Sequence, residues 1–223
     1  MDLIDIIFPI NCLECGKEGK YLCDSCLAKI GKARLFCLEC HKPSIDGAIH
    51  AKCSKKYSID FAYSPWDYEG IVRKAILKLK YNYAYKIAEE LAERLIKKIE
   101  SETSILPTDA ILIPIPLYKL RQNLRGFNQA EKMGKLISES LGWDYNPDLL
   151  VRTRRTTPQT ELKGVNRTKN LLGAFSANPK SKIYNSTYVL FDDVLTTGST
   201  LKEACKVLKR RGIKVVWGLT IAA

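Results

Sequence analysis

Apolar residues recur along this chain in two rhythms, and both begin near residue 60. From 71 to 80 they fall at Ile71, Val72, Ala75, Ile76 and Leu79, the spacing of a helix with one buried face. Asn82 interrupts the pattern, and it resumes from 84 to 100 at Ile87, Ala88, Leu91, Ala92, Leu95, Ile96 and Ile99. The second rhythm is the short continuous apolar run. Residues 110–114 and 188–191 read as buried strands, as in a parallel sheet, and residues 214–220, apolar at 215, 216, 217 and 219, as a final strand. Residues 61–68 alternate aromatic and small side chains and read as a further strand. Shorter strands are expected at 149–151 and at Ala174-Phe175. Leu136, Ile137 and Leu141 mark a helix that Asn128 can cap. Leu201, Ala204, Cys205 and Leu208 mark the helix 199–211, which makes Cys205 a core residue rather than a nucleophile. From 61 onward the order is strand, helices, strand, helix, strand, loop, strand, helix, strand. That order predicts an α/β fold with a mainly parallel sheet, whose ligands bind at the carboxyl ends of strands. The ends at Pro114, Arg152 and Asp193 all open into polar loops, so one shared crevice is expected.

Before residue 60 there is no such rhythm. There are cysteines instead: seven of the eight lie between 12 and 53. They come as Cys12-x-x-Cys15, Cys23-x-x-Cys26 and Cys37-x-x-Cys40, followed by His50-x-x-Cys53. A two-residue gap puts both donors on one face of a tight turn. Eight ligands suffice for two tetrahedral Zn²⁺ ions in closed, structural sites. The simplest assignment is sequential, Cys12, Cys15, Cys23 and Cys26 for one ion and Cys37, Cys40, His50 and Cys53 for the other. An interleaved pairing of the first and third couples also satisfies the spacing, and His41 competes with His50. Clustered cysteines of this kind suit a reducing compartment. The first five residues carry two acids and no basic stretch, unlike a secretory leader, and no apolar run approaches the ~20 residues of a membrane helix. A cytoplasmic protein is expected. The chain divides into a zinc-binding module, 1–58, and an α/β domain, 59–223.

Charge sharpens this division. The chain carries +12 overall, of which residues 1–60 supply +1 and residues 61–223 supply +11. Two Zn²⁺ against seven thiolates would make the module about −2. The module is therefore expected to dock or scaffold rather than to read nucleic acid. Residues 115–170 hold 11 Lys/Arg against five Asp/Glu. This basic crevice is expected to attract nucleic acid or phosphorylated ligands, with Arg121, Arg125, Arg154, Arg155 and Arg167 as phosphate contacts and Phe127 as a ring for a base. The polar, basic run from Arg152 reads as a mobile loop.

One stretch carries most of the chemistry. Residues 188–200 read Tyr-Val-Leu-Phe-Asp-Asp-Val-Leu-Thr-Thr-Gly-Ser-Thr: a strand, two acids, a hydroxyl-rich loop around Gly198, then a helix start. Backbone N–H groups and the helix dipole favour a phosphate there. The acids Asp192 and Asp193 suit ribose hydroxyls or a hydrated cation. No Lys-Ser/Thr pair closes the loop, so it is not the Walker-type phosphate loop.

This stretch resembles the phosphoribosyl pyrophosphate signature of type I phosphoribosyltransferases. With the cysteine couples, Arg125-Gly126-Phe127-Asn128-Gln129, and the run Arg154, Gln159, Leu162, Arg167, Asn170 and Phe175, the whole chain resembles the ComF (ComFC-type) competence proteins. These are a zinc-finger-containing branch of that superfamily. The resemblance implies that Asp192 and Asp193 face the ribose. It implies that Val194, Leu195, Thr196, Thr197, Gly198, Ser199 and Thr200 cradle the 5′-phosphate. Pyrophosphate, with Mg²⁺ on the ligand, would lie by Ile115-Pro116, and 152–165 would form a lid. The implied role is the handling of single-stranded DNA in natural transformation, with competence-machinery partners docking on the zinc module. Two other roles compete: an active phosphoribosyltransferase of nucleotide metabolism, and a phosphoribosyl pyrophosphate sensor without chemistry. The stretch after residue 200 carries no base-recognition pattern, which weighs against ordinary base salvage.

Overall fold

The computed structural model describes residues 9–79, 85–102, 106–118, 126–154 and 171–223. Among these residues seven strands follow in chain order: β1 (Phe61–Tyr63), β2 (Ala110–Pro114), β3 (Asp144–Tyr145), β4 (Leu150–Arg152), β5 (Phe175–Ala177), β6 (Thr187–Val194) and β7 (Val215–Ala222). The helices are α1 (Asp24–Leu27), α2 (Gly70–Lys78), α3 (Tyr85–Ser101), α4 (Gln129–Leu141) and α5 (Ser199–Arg210). Five strands form one sheet in the order β1-β7-β6-β2-β3, and each pairing in it is parallel.

Side chains alternate across a strand, so one strand feeds two cores. On β6, Val189 and Phe191 pack with Ile71, Leu91, Met133 and Ile137 from α2, α3 and α4. Tyr188 and Leu190 pack on the other face with Leu201, Cys205 and Leu208 of α5. β2 splits the same way, Leu112 to the first core and Ile111 and Ile113 to the second. The expected mainly parallel sheet, with helices on both faces, is what the chain forms.

Three details differ from the expected elements. β1 is three residues rather than eight, because the chain turns at Pro65, which has no N–H to give a ladder. Trp66 then rejoins by a single bridge to Ala222. β3 is a two-residue edge strand whose residues are not fully buried, so no apolar run announces it. β4 and β5 form strands near the expected positions but pair antiparallel with each other, outside the main sheet.

The cysteine-rich segment borrows its core from the α/β part. Cys12, Leu22, Cys23 and Cys26 are buried in the same cluster as Phe61 and Leu91. Residues 47–49 run antiparallel to β1: Ala62 N–H donates to the Gly47 carbonyl at 3.0 Å, and Ile49 N–H to the Asp60 carbonyl at 3.1 Å. On α3, the two carboxylate oxygens of Glu90 accept the backbone N–H groups of Tyr21 and Leu22, each at 2.8 Å. Arg94 donates to the Leu22 carbonyl at 2.7 Å and to the Asp24 carboxylate.

Glu90→Ala would leave two half-buried amides without their acceptor, at a cost of about 1–3 kcal/mol. In a chain of this size that lowers Tm by roughly 2–4 °C per kcal/mol. Glu89→Ala, which removes only the exposed ion pair to Lys132 at 2.9 Å, is expected to change Tm little. Thermal melts of the two variants side by side check this.

Candidate phosphate-binding and metal sites

β6 delivers the two acids. Its last buried residue is Phe191, and Asp192 and Asp193 emerge half-buried at the carboxyl end. Neighbours on a strand point to opposite faces. Asp192 accordingly follows Leu190 toward the α5 side, where Arg152 of β4 lies within electrostatic reach. Asp193 follows Phe191 toward Tyr68, whose hydroxyl pKa is raised first by burial and then by the Asp193 charge. Burial raises the Asp192 carboxyl well above its ordinary range. The neighbouring Asp193 adds to this, and the Asp193 N–H at 2.9 Å and Arg152 oppose it.

The loop after the acids stays tied to the sheet by Leu195 N–H donating to the Ala222 carbonyl at 2.8 Å. Gly198 then adopts φ 69°, a left-handed conformation that glycine enters without strain. It stands at the N-cap of α5, where glycine has no side chain to cap the helix itself. Thr197 Oγ1 lies 2.8 Å from Ser199 Oγ and accepts the Ser199 N–H at 3.4 Å. Asp192, Val194, Leu195, Thr196, Gly198, Ser199 and Thr200 line one shallow hollow here. The loop thus sets hydroxyls and a helix start beside two carboxyls.

Ile115-Pro116 comes to the same end of the sheet. Pro114 pairs with Phe191, and Ile115 N–H continues that ladder to the Phe191 carbonyl at 2.8 Å. The register therefore sets Ile115-Pro116 alongside Asp192 and Asp193. Asn128 holds the turn from behind. Its Nδ2 donates to the Ile115 carbonyl at 3.1 Å, while its Oδ1 caps α4 by accepting Ala130 N–H at 3.1 Å. Gln129 Nε2 donates to the Leu79 carbonyl at the end of α2, at 2.7 Å. The Asn128-Gln129 pair is thus a buried clamp.

Phe127 does not stand open for a base. It is buried, and Tyr85 stacks on it with ring centroids 4.3 Å apart. Tyr85, 40% exposed, is the ring of this pair that presents surface. Arg154 is exposed, with Nη2 donating to the Leu172 carbonyl at 2.9 Å. Arg121, Arg125, Arg155 and Arg167 lie outside the described residues, as do 155–165 of the expected lid and Gln159, Leu162 and Asn170. Arg152 was not among the expected site residues. Its guanidinium lies 5.4 Å over the Phe175 ring and acts on Asp192. Its position at the carboxyl end of a short strand was the available signal. A larger hollow, about 520 Å³, lies away from these acids between α1 and α3. Two of its cations, Arg94 and Lys98, are already paired with Asp24 and Glu102.

The cysteines gather in the sequential arrangement. The donor atoms of Cys12, Cys15, Cys23 and Cys26 all lie within 4.8 Å of one another, as do those of Cys37, Cys40, His50 and Cys53. Sulfur pairs at 3.5 and 3.7 Å in the first cluster approach the ~3.8 Å edge of a tetrahedron with 2.3 Å metal–sulfur bonds. In the second, His50 Nδ1 lies 3.4 Å from Cys40 Sγ, and Nε2 lies 3.0 Å from the Pro43 carbonyl, which fixes the ring with Nδ1 inward. Burial pushes the Cys12 thiol up, but backbone amides at Cys15, Cys23 and Glu14 outweigh it and bring the group to about 6. Cys37 falls to about 7 by the same competition. Cys26 is pushed to about 12, first by the Cys23 thiol, and Cys53 to about 11, first by burial. Cys23 is lowered too, first by the Ser25 hydroxyl, so each cluster holds at least one lowered thiol ready to be a thiolate beside one that a cation would have to make so. Such a donor set fits a metal such as zinc.

The two couples Cys12-Cys15 and Cys37-Cys40 are one motif used twice, Cys-Leu-Glu-Cys-Gly-Lys at 12–17 and Cys-Leu-Glu-Cys-His-Lys at 37–42. In both, the first cysteine's N–H reaches the lysine carbonyl and the fifth residue's N–H reaches the first cysteine's carbonyl. His41 therefore fills the left-handed position of Gly16, with φ 57° against 76°. Its ring stacks on Phe36 at 5.7 Å instead of turning to the metal site. The sequential assignment takes His50 rather than His41 as the ligand, and the repeat is a second sequence signal for that choice.

The phosphoribosyl transferase domain family matches residues 84–222. The chain is 32% identical to Competence protein F of Haemophilus influenzae, over 96% of this chain and 98% of that protein. It is 27% identical to DNA utilization protein YhgH of Escherichia coli K12, over 87% of each. It is 24% identical to Competence protein ComFC of Bacillus subtilis, over 88% of this chain and 81% of the relative. A parallel sheet that ends in paired acids and a glycine-opened helix, joined to a cysteine-rich segment and to this set of relatives, makes the chain a member of the ComF-type competence proteins of the phosphoribosyltransferase superfamily.

Proposed function

We propose that the domain 59–223 binds phosphoribosyl pyrophosphate with Mg²⁺, and that the protein handles single-stranded DNA during natural transformation. The observation that carries the ligand is the emergence of Asp192 and Asp193 directly into a hydroxyl-rich helix start opened by Gly198. The carboxylates would accept the ribose hydroxyls. The N–H groups and hydroxyls of 196–200 would hold the 5′-phosphate. The backbone at Ile115-Pro116 would take the pyrophosphate, which brings its own Mg²⁺. Both metal clusters would hold Zn²⁺ as closed structural sites in the module 1–58, leaving that module's outer face to competence-machinery proteins. Seven metal-ligand thiols fit a cytoplasmic setting, and no helix among the described residues is long and apolar enough to cross a membrane. The DNA reading rests on the +11 charge of residues 61–223 and on relatives whose names refer to competence and DNA utilization. Phosphates would follow Arg121, Arg125, Arg154, Arg155 and Arg167.

Calorimetry with Mg²⁺ and phosphoribosyl pyrophosphate tests the ligand. The double change Asp192→Ala/Asp193→Ala removes two charged acceptors worth about 1.5–3 kcal/mol each, so affinity should fall roughly a hundredfold or more. Undiminished binding would refute the site.

Asp192 also makes a stability prediction of opposite sign. Its folded-state pKa is raised above the ordinary 3.8 by burial and by Asp193, with Arg152 as the opposing charge. The folded chain therefore holds this proton to higher pH than the unfolded chain does. Stability from this group is lost as pH rises through the raised value. Asp192→Asn should thus raise Tm of the unliganded chain at neutral pH, and flatten its pH dependence above 3.8, while weakening the ligand. A lower Tm at neutral pH would count against this electrostatic reading.

For DNA, Arg121→Ala/Arg125→Ala should lessen the slope of log affinity against log salt by about 1.4, at ~0.7 per lost phosphate contact on a single strand. An unchanged slope removes these two arginines from the strand's path.

A further inference from the structure

The second metal cluster lies against the phosphate loop. Leu38, which follows ligand Cys37, is completely buried. Its side chain fills the space against Gly198: a Cβ on that glycine would stand 2.8 Å from Leu38 Cδ2 and 3.4 Å from Cδ1. The Leu38 carbonyl accepts Lys202 Nζ at 2.9 Å, and Lys202 N–H donates to the Gly198 carbonyl at 2.9 Å. One residue of the metal knuckle therefore touches the helix start at both ends of its first turn. Two more contacts continue along α5. Cys205 Sγ donates to the Tyr57 carbonyl at 3.7 Å, and Lys209 Nζ donates to Asp60 Oδ1 at 2.8 Å. Asp60 Oδ2 in turn accepts Val216 N–H of β7 at 2.8 Å.

The first cluster is placed differently. Leu13, the counterpart of Leu38 in the repeated motif, packs with the core on the other face of the sheet. The contacts of residues 21–24 are to Glu90 and Arg94 on α3. Two copies of one knuckle thus support two different parts of the domain.

We infer that the cluster Cys37, Cys40, His50 and Cys53 positions the phosphate loop, so that metal occupancy there and ligand binding at 196–200 are thermodynamically coupled through Leu38. Leu38 is a positioning residue. It fixes where Gly198 sits, and Gly198 sets the direction of the first α5 amides. Metal binding fixes Leu38 because Cys37 and Cys40 flank it on either side within one turn. The coupling is reciprocal: a ligand held by the loop should also tighten the second metal ion. The ligand's identity rests on the function proposed above, but the metal-to-loop coupling does not.

Hydrogen exchange of residues 194–202 in the full chain tests this, with metal content measured on the same samples. His50→Ala/Cys53→Ala and Leu38→Ala should both speed exchange in 194–202. Cys15→Ala, in the first cluster, should leave that segment unchanged, and Leu38→Met should restore it to the wild-type rate. With Mg²⁺ and phosphoribosyl pyrophosphate, both disruptive variants should lose about 5–150-fold in affinity, the usual span of coupled sites. Wild-type exchange in 194–202 for both disruptive variants would overturn the coupling. If the cluster variant unfolds outright, Leu38→Ala, which keeps all four ligands, decides. If the wild-type chain binds no phosphoribosyl pyrophosphate, the ligand assignment fails while the exchange data still decide the coupling.

Discussion

Strand β6 is hydrogen-bonded on both sides, to β2 and to β7, and the site depends on that double pairing. A strand with two parallel neighbours and a core on each face has no freedom to shift. A one-residue slip would exchange Val189 and Phe191 with Tyr188 and Leu190 and put every side chain in the wrong core. The same constraint sets which way Asp192 and Asp193 point. It also sets where the chain leaves the sheet, so the Thr196–Gly198 turn begins from a fixed point. Ile115-Pro116 arrives next to it because Pro114 is in register with Phe191.

The cysteine-rich segment alters the meaning of this scaffold. It shares core with β1 and α3, runs antiparallel to β1 at residues 47–49, and supports α5 from 38 to 60. These contacts use leucines, backbone carbonyls and single carboxylates, not a basic face. A segment so engaged on its inner side acts on the α/β domain by holding it, which agrees with its near-neutral charge.

What was legible in the sequence follows from which forces act locally. Residues 188–200 could be read because a buried run, two acids and a glycine each leave a distinct mark in a few positions. Asn128 could be read as a cap because capping is a local bond. Glu90, Asp60 and Leu38 could not. Glu90 looks like one more charge on an amphipathic helix, and its value lies in two amides 68 and 69 residues away. Asp60 looks like the end of a polar linker, yet it closes β7 and anchors Lys209. Phe127 was misjudged for the converse reason. An aromatic in a polar motif suggests an exposed stacking platform, but here Tyr85 covers it and the neighbouring Asn128 and Gln129 turn inward.

Asp192 supplies a last discrimination between a structural and a functional reading. A carboxyl buried beside a second carboxyl, with its pKa driven upward, costs the folded chain stability at neutral pH. The bond that opposes this rise, from the Asp193 N–H, is of a kind that an amide oxygen would also accept. A fold selected for stability alone would favour asparagine here. Hydroxyls or cations set against a charge at that position would offset its cost. The adjoining loop offers N–H groups and hydroxyls, the complement of an anion. The ligand proposed above, a phosphorylated sugar, would satisfy both neighbours at once.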